Sequence, residues 1–106
     1  MLAPEQRKYP RVTPPNSIVA AWQVGTQRGV SFLESLSVGG LYVRTKEVLP
    51  LRALIQILLD LPEGQVRCRG IVRRTVEKRG AAVQIIAMDP TDRARLFAQM
   101  TKLLLA

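Results

Sequence analysis

From Ser17 onward the chain alternates, with Ile18, Ala20, Trp22 and Val24 set between Ser17, Val19, Ala21 and Gln23. A period of two puts every second side chain on one face, so a half-buried strand is predicted, closed by a turn at Gly25-Thr26. Arg28 to Leu33 predicts a second strand, with Val30 and Phe32 on one face. Leu41 to Arg44 predicts a third, with Leu41 and Val43 facing in. Further on, Val66, Cys68 and Val72 alternate with Arg67, Arg69 and Arg73, an apolar inner face against a basic outer one. The turn Lys78-Arg79-Gly80 leads into another strand from Ala81 to Ala87. Short strands joined by tight connections have the rhythm of an all-β barrel or sandwich.

Two segments break this rhythm. Leu51, Leu54, Ile55, Leu58 and Leu59 fall at helical spacing, while Ile55, Ile57 and Leu59 also fit one face of a strand. Periodicity does not decide between them, and leucine's own preference favours helix when the stretch is read alone. At the end of the chain Asp89-Pro90-Thr91-Asp92 supplies a capping side chain, proline at the first helical position and an acid in the first turn. A helix is predicted to start there, with Leu96, Phe97, Met100, Leu103 and Leu104 as its apolar stripe. Residues 1–16 carry Pro4, Pro10, Pro14 and Pro15 and read as an extended arm.

With 106 residues the chain builds one core: an arm over 1–16 and a strand-rich body with its terminal helix over 17–106, a single domain. Histidine is absent and Cys68 is the one cysteine, which removes intrachain disulfides, cysteine-cluster metal sites and histidine-based catalysis. No enzyme and no cofactor are expected. Cys68 and Trp22 read as core residues. No apolar run is long enough to span a membrane, so no membrane insertion is expected. The first residues lack the regions of a secretory signal, and the expected location is cytoplasmic. Charge changes the picture more: sixteen basic residues against eight acidic give +8 and favour an anionic partner. Twelve of the sixteen are arginine, which pairs bidentately with phosphate and stacks on planar rings.

Two stretches concentrate that chemistry. Arg7-Lys8-Tyr9-Pro10-Arg11 sets two guanidinium groups on a proline-stiffened arm, where an extended path lets them reach opposite sides of a compact ligand. Each suits a phosphate oxygen pair or the face of a purine. Ser35-Leu36-Ser37-Val38-Gly39-Gly40 is a small-residue turn that lets a ligand approach the backbone, with hydroxyls that donate or accept.

In this order, followed by short strands and a terminal helix, the two stretches resemble the PilZ domain, the bacterial receptor module for cyclic di-GMP. Its signature is RxxxR on an N-terminal arm and then D/N-x-S-x-x-G. Arg7 and Arg11 match the first motif in full. Ser37 and Gly40 match the second, with Ser35 standing where the family has Asp or Asn. The resemblance runs from about Glu5 to Leu104 and includes a Leu-Pro at Leu61-Pro62 after the fourth strand.

It implies an all-β fold, a six-stranded antiparallel β-barrel with one C-terminal α-helix, and so turns Leu51 to Leu61 into a strand. It implies a stand-alone cyclic di-GMP receptor for second-messenger signalling, with Arg7, Lys8, Arg11, Ser35, Ser37, Gly39 and Gly40 as the ligand-binding set. Output would pass to a downstream protein partner, with homodimerisation left open. Ser35 supports an alternative, a degenerate PilZ adaptor that works through protein contacts without the dinucleotide. Nonspecific nucleic-acid binding by the +8 surface is the third reading, and few aromatics are present to stack on unpaired bases. The Arg67, Arg69, Arg73 face reads as a solvated outer strand surface.

Overall fold

The computed structural model describes residues 11–15 and 18–105. Six strands and one helix follow in order: β1 (Val19–Val24), β2 (Gln27–Leu36), β3 (Gly40–Arg44), β4 (Leu54–Leu61), β5 (Gly64–Val76), β6 (Gly80–Met88) and α1 (Pro90–Leu105). The strands pair antiparallel around a closed ring, β1-β2-β3-β6-β5-β4. Closure comes from β1 pairing with β4, Val19 opposite Asp60 through Gln23 opposite Gln56. A closed ring leaves no strand edge for another chain to pair with.

The alternation in β1 behaves as its sequence predicts. Ile18, Ala20, Trp22 and Val24 are buried, and the Trp22 indole donates to the Ser31 hydroxyl at 3.0 Å. The 51–61 stretch is strand β4 only from Leu54, with Ile55, Ile57, Leu59 and Leu61 inside, while Leu51 and Arg52 form a turn before it. The helix that its leucines favour in isolation loses because both edges of the segment are taken, by β1 and β5. Strand β2 runs on to Leu36, three residues past the predicted end, and Val30 and Phe32 lie on its outer side, exposed. Strand β3 is buried on both faces through Val43, Tyr42 included.

Two irregularities aim charge outward. Leu33 pairs with Val43 and Ser35 with Tyr42, so Glu34 is an extra residue in β2. Val72 pairs with Val83 and Arg74 with Ala82, so Arg73 is an extra residue in β5. A bulge of this kind bends its strand and re-aims the neighbouring side chains.

Helix α1 begins where the capping pattern places it, with the Thr91 amide donating to Asp89 Oδ1 at 2.9 Å. It packs on β5 and buries Leu96, Gln99 and Met100, with Leu103 half-buried. The predicted stripe needs correcting: Phe97 and Leu104 point to solvent, Phe97 61% exposed. Burial of Leu96 and Met100 against the core sets the rotation, and a polar rim accompanies it, in which Arg95 pairs with Asp92 and donates to the Gln65 carbonyl at 2.7 Å, and Lys102 pairs with Glu63. Cys68 sits inside β5, and burial, with Asp92 adding to it, pushes its thiol up to about 12.

The helix orientation is tested by truncation. Leu96→Ala should cost about 3 kcal/mol in urea unfolding, whereas Phe97→Ala should stay within about 0.5 kcal/mol. The protonated, buried Cys68 thiol should resist iodoacetamide in the native protein at mildly alkaline pH and react once urea opens the barrel.

Candidate anion-binding site

The turn between β2 and β3 is built around one hydroxyl. Ser37 is 2% exposed; its Oγ donates to the Gly40 carbonyl at 3.1 Å and accepts from the Gly39 and Gly40 amides at 3.2 and 3.0 Å. The Ser37 amide also donates to the Gly40 carbonyl at 2.8 Å. Serine fits because a short side chain with one donor and two acceptor sites satisfies three backbone groups at once. Its neighbours are fixed in turn: the Gly39 carbonyl accepts from the Ile85 amide at 3.0 Å, tying the turn to β6. Gly40 must be glycine, since a methyl group there would stand 2.6 Å from the Val83 carbonyl oxygen.

Against this turn lies the end of the arm. Val12 and Leu36 exchange backbone hydrogen bonds at 3.0 and 2.9 Å, which fixes the chain direction just after Arg11. The methyl position on Gly40 is 3.7 Å from an Arg11 guanidinium nitrogen, so the second motif arginine rests over the second motif glycine. Arg7 and Lys8 lie outside the described residues.

The strand register carries the site across the barrel wall. Ser35 pairs with Tyr42, Tyr42 with Ala82, and Ala82 with Arg74, so these four form one row on the outer face. A depression of about 560 Å³ opens over this row, bordered by Arg11, Glu34, Arg74 and Arg79. Arg79 pairs with Glu34 at 2.8 Å, and this carboxylate holds the guanidinium's pKa further above its usual value. Among the described residues three arginines and one carboxylate border the hollow, and the Tyr42 ring lines it. Such a surface receives a compact polyanion with planar groups.

The residues predicted for the site therefore take different parts. Arg11 and Ser35 border the depression. Ser37 and Gly39 lie behind it, with the Ser37 hydroxyl turned into its own turn and away from any ligand, and Gly40 lies beneath the arginine. Ser35 belongs to strand β2 and not to the turn. Sequence reasoning did not bring Glu34, Tyr42, Arg74 and Arg79 to this place. The outward parity of Tyr42 between Leu41 and Val43 was readable, but the pairing that joins it to Arg74 was not. A second and larger hollow, about 1070 Å³, lies over β1, β2, β4 and β5 with Arg28, Arg67 and Arg69 at its border. It holds none of the motif residues. Arg67, Arg69 and Arg73 are exposed, as an outer strand face requires, and Arg73 donates to Gln84 at 2.7 Å.

The described residues thus form a closed six-stranded barrel with a terminal helix, with Arg11 laid over a Ser-Val-Gly-Gly turn and a basic hollow beside it. The chain belongs to the PilZ domain family, which it matches over residues 5–102. Its fold is similar to that of the Bacillus subtilis inhibitor of motility MotI/DgrA, at 21% identity and a TM-score of 0.76, covering 94% of this chain and 52% of that one. It is also similar to MrkH of K. pneumonia in complex with c-di-GMP, at 18% identity and a TM-score of 0.79, covering 94% of this chain and 53% of that one. The chain thus spans about half the length of these solved structures. No curated protein sequence matches it significantly.

The turn is open to a direct test. Ser37→Ala should destabilise the fold by about 2 kcal/mol, because the buried Gly40 amide and the half-buried Gly39 amide lose their partner, while the Gly40 carbonyl keeps only the Ser37 amide. Amide exchange at Gly39 and Gly40 should accelerate more than at Ile55, on the far side of the barrel.

Proposed function

We propose that this chain is a cyclic di-GMP receptor that binds the dinucleotide between its N-terminal arm and the β2-β3 face of the barrel. The observation that carries this reading is Arg11 lying over Gly40 at the border of the basic hollow, within a chain that belongs to the PilZ family. Cyclic di-GMP carries two phosphates and two guanine planes, and arginine serves both groups, by bidentate pairing and by stacking. Arg7 and Lys8 supply the other half of the clamp, and Arg11 reaches the ligand from the site's edge. Ser35 contacts it from β2. Ser37 acts indirectly by holding the turn, and Gly39 and Gly40 keep the backbone low enough for close approach. The bound arm presents a changed surface to a downstream protein, with no catalytic step.

Ser35 favours one rival, a PilZ adaptor indifferent to the dinucleotide. A carboxylate or amide pairs with two donors on a guanine edge and a hydroxyl makes one contact, a difference of about fivefold in affinity.

Isothermal titration with cyclic di-GMP decides between them. The folded protein should bind, Arg11→Ala should weaken binding about 30-fold or more without lowering the apo melting temperature, and Ser35→Asn should tighten it. No heat at saturating ligand on folded protein would establish the adaptor instead.

A further inference from the structure

Tyr42 is the unexplained residue of the site. It is 6% exposed, yet its hydroxyl has no hydrogen-bond partner among the described residues. Burying a hydroxyl without a partner costs stability, and proteins fill such positions with phenylalanine unless the oxygen has work to do. The ring is fitted closely, since a methyl group on Gly80 would stand 2.8 Å from Tyr42 Cε1 and 2.0 Å from the Val43 carbonyl. Glycine at the β5-β6 hairpin thus makes room for the ring, and Arg79 precedes that glycine in the chain. Tyr42 and Arg79 line the same hollow.

Glu34 is the second oddity. The bulge in β2 turns it out beside Ser35, where it sets a negative charge within a site that otherwise gathers positive ones. Its carboxylate occupies Arg79 at 2.8 Å, with side chains 39% and 65% exposed. An exposed pair of this kind contributes little to stability. It matters for binding, because an entering phosphate competes with the carboxylate for the same guanidinium.

We propose that the Tyr42 hydroxyl and the Arg79 guanidinium form a phosphate-receiving pair of the dinucleotide site, and that Glu34 is a built-in competitor for it. The inference rests on the dinucleotide reading and adds a subsite outside both sequence motifs. In the unliganded protein Glu34 holds Arg79. A ligand phosphate takes its place, and the phenol donates the hydrogen bond that it lacks. Affinity is thereby lowered by a residue next to the site's own recognition serine.

Titrations with cyclic di-GMP on the full chain test this. Glu34→Gln should bind about threefold more tightly, since the competitor loses its charge. Tyr42→Phe should bind about fivefold more weakly while melting at the same temperature as the parent or higher, a combination that a purely structural tyrosine would not give. Arg79→Ala should weaken binding about tenfold, and Glu34→Gln should have no further effect in that background. Equal affinity across these variants, with the parent binding and Arg11→Ala impaired, overturns the pair and leaves the dinucleotide reading standing. A parent silent to cyclic di-GMP removes that reading, and inorganic pyrophosphate then tests the pair alone. Amide shifts at Tyr42 and Arg79 that vanish in Tyr42→Phe and Arg79→Ala would retain it, and their absence would overturn it.

Discussion

Barrel closure through the β1-β4 pairing is the constraint on which the rest of the molecule depends. Once the ring is shut, every strand has two neighbours, so the interior receives one face of all six strands and is filled by Ile18, Leu36, Leu41, Ile55, Leu59, Val66 and Val72. The inside is then packed mainly with aliphatic side chains, with Trp22, Cys68 and Met100 among them. Binding must use the outer wall, where alternation delivers the polar residues, and it must do so at a place where the wall departs from regularity. The bulges at Glu34 and Arg73 and the glycine-rich turn at 37–40 are such departures, and they converge on one side.

That convergence explains what was readable in the chain beforehand. Strands with an unbroken period of two, such as β1 and the Val66 to Cys68 stretch, were legible because one face of each is simply inside. The cap at Asp89 was legible because it is local. The 51–61 segment was not, since leucine satisfies helix and strand alike and its state is decided by neighbours far away in the chain. The helix stripe erred at Phe97 and Leu104 for a related reason. Apolar residues were available on more than one side of α1, and the side that faces β5 is the one that puts Leu96 and Met100 into the barrel's core, with Arg95 and Lys102 finding partners at its rim.

The site divides the same way. Arg11 and the Ser37 to Gly40 turn were legible as short local motifs, and the fold brings them together. Tyr42, Arg74 and Arg79 come to the same hollow through cross-strand register, which a bulge shifts by one residue and which no local pattern encodes. Ser37 shows the opposite case: its place in the motif was legible, but its role was not. A hydroxyl three residues before a glycine serves a ligand or its own backbone equally well on paper. Here the three backbone partners consume it.

Charge alone would not have located the site. Arg28, Arg67 and Arg69 border a hollow larger than the one that carries the motif, which has three arginines of its own, so a count of cations does not tell the two walls apart. What separates the two is geometry close to the backbone. At the motif face Gly40 lets an arginine lie over the main chain, and Gly80 lets a tyrosine ring settle against the hairpin; no other side chain fits at either position without moving a carbonyl oxygen. Anion recognition of useful selectivity requires donors held at fixed positions, and fixed positions require that something beneath them be small and immobile. The motif face meets that requirement because its two glycines are pinned by β-sheet pairing on both sides. A carboxylate placed among such donors is then more than a neutralising neighbour, because it meters how strongly the face attracts any anion at all.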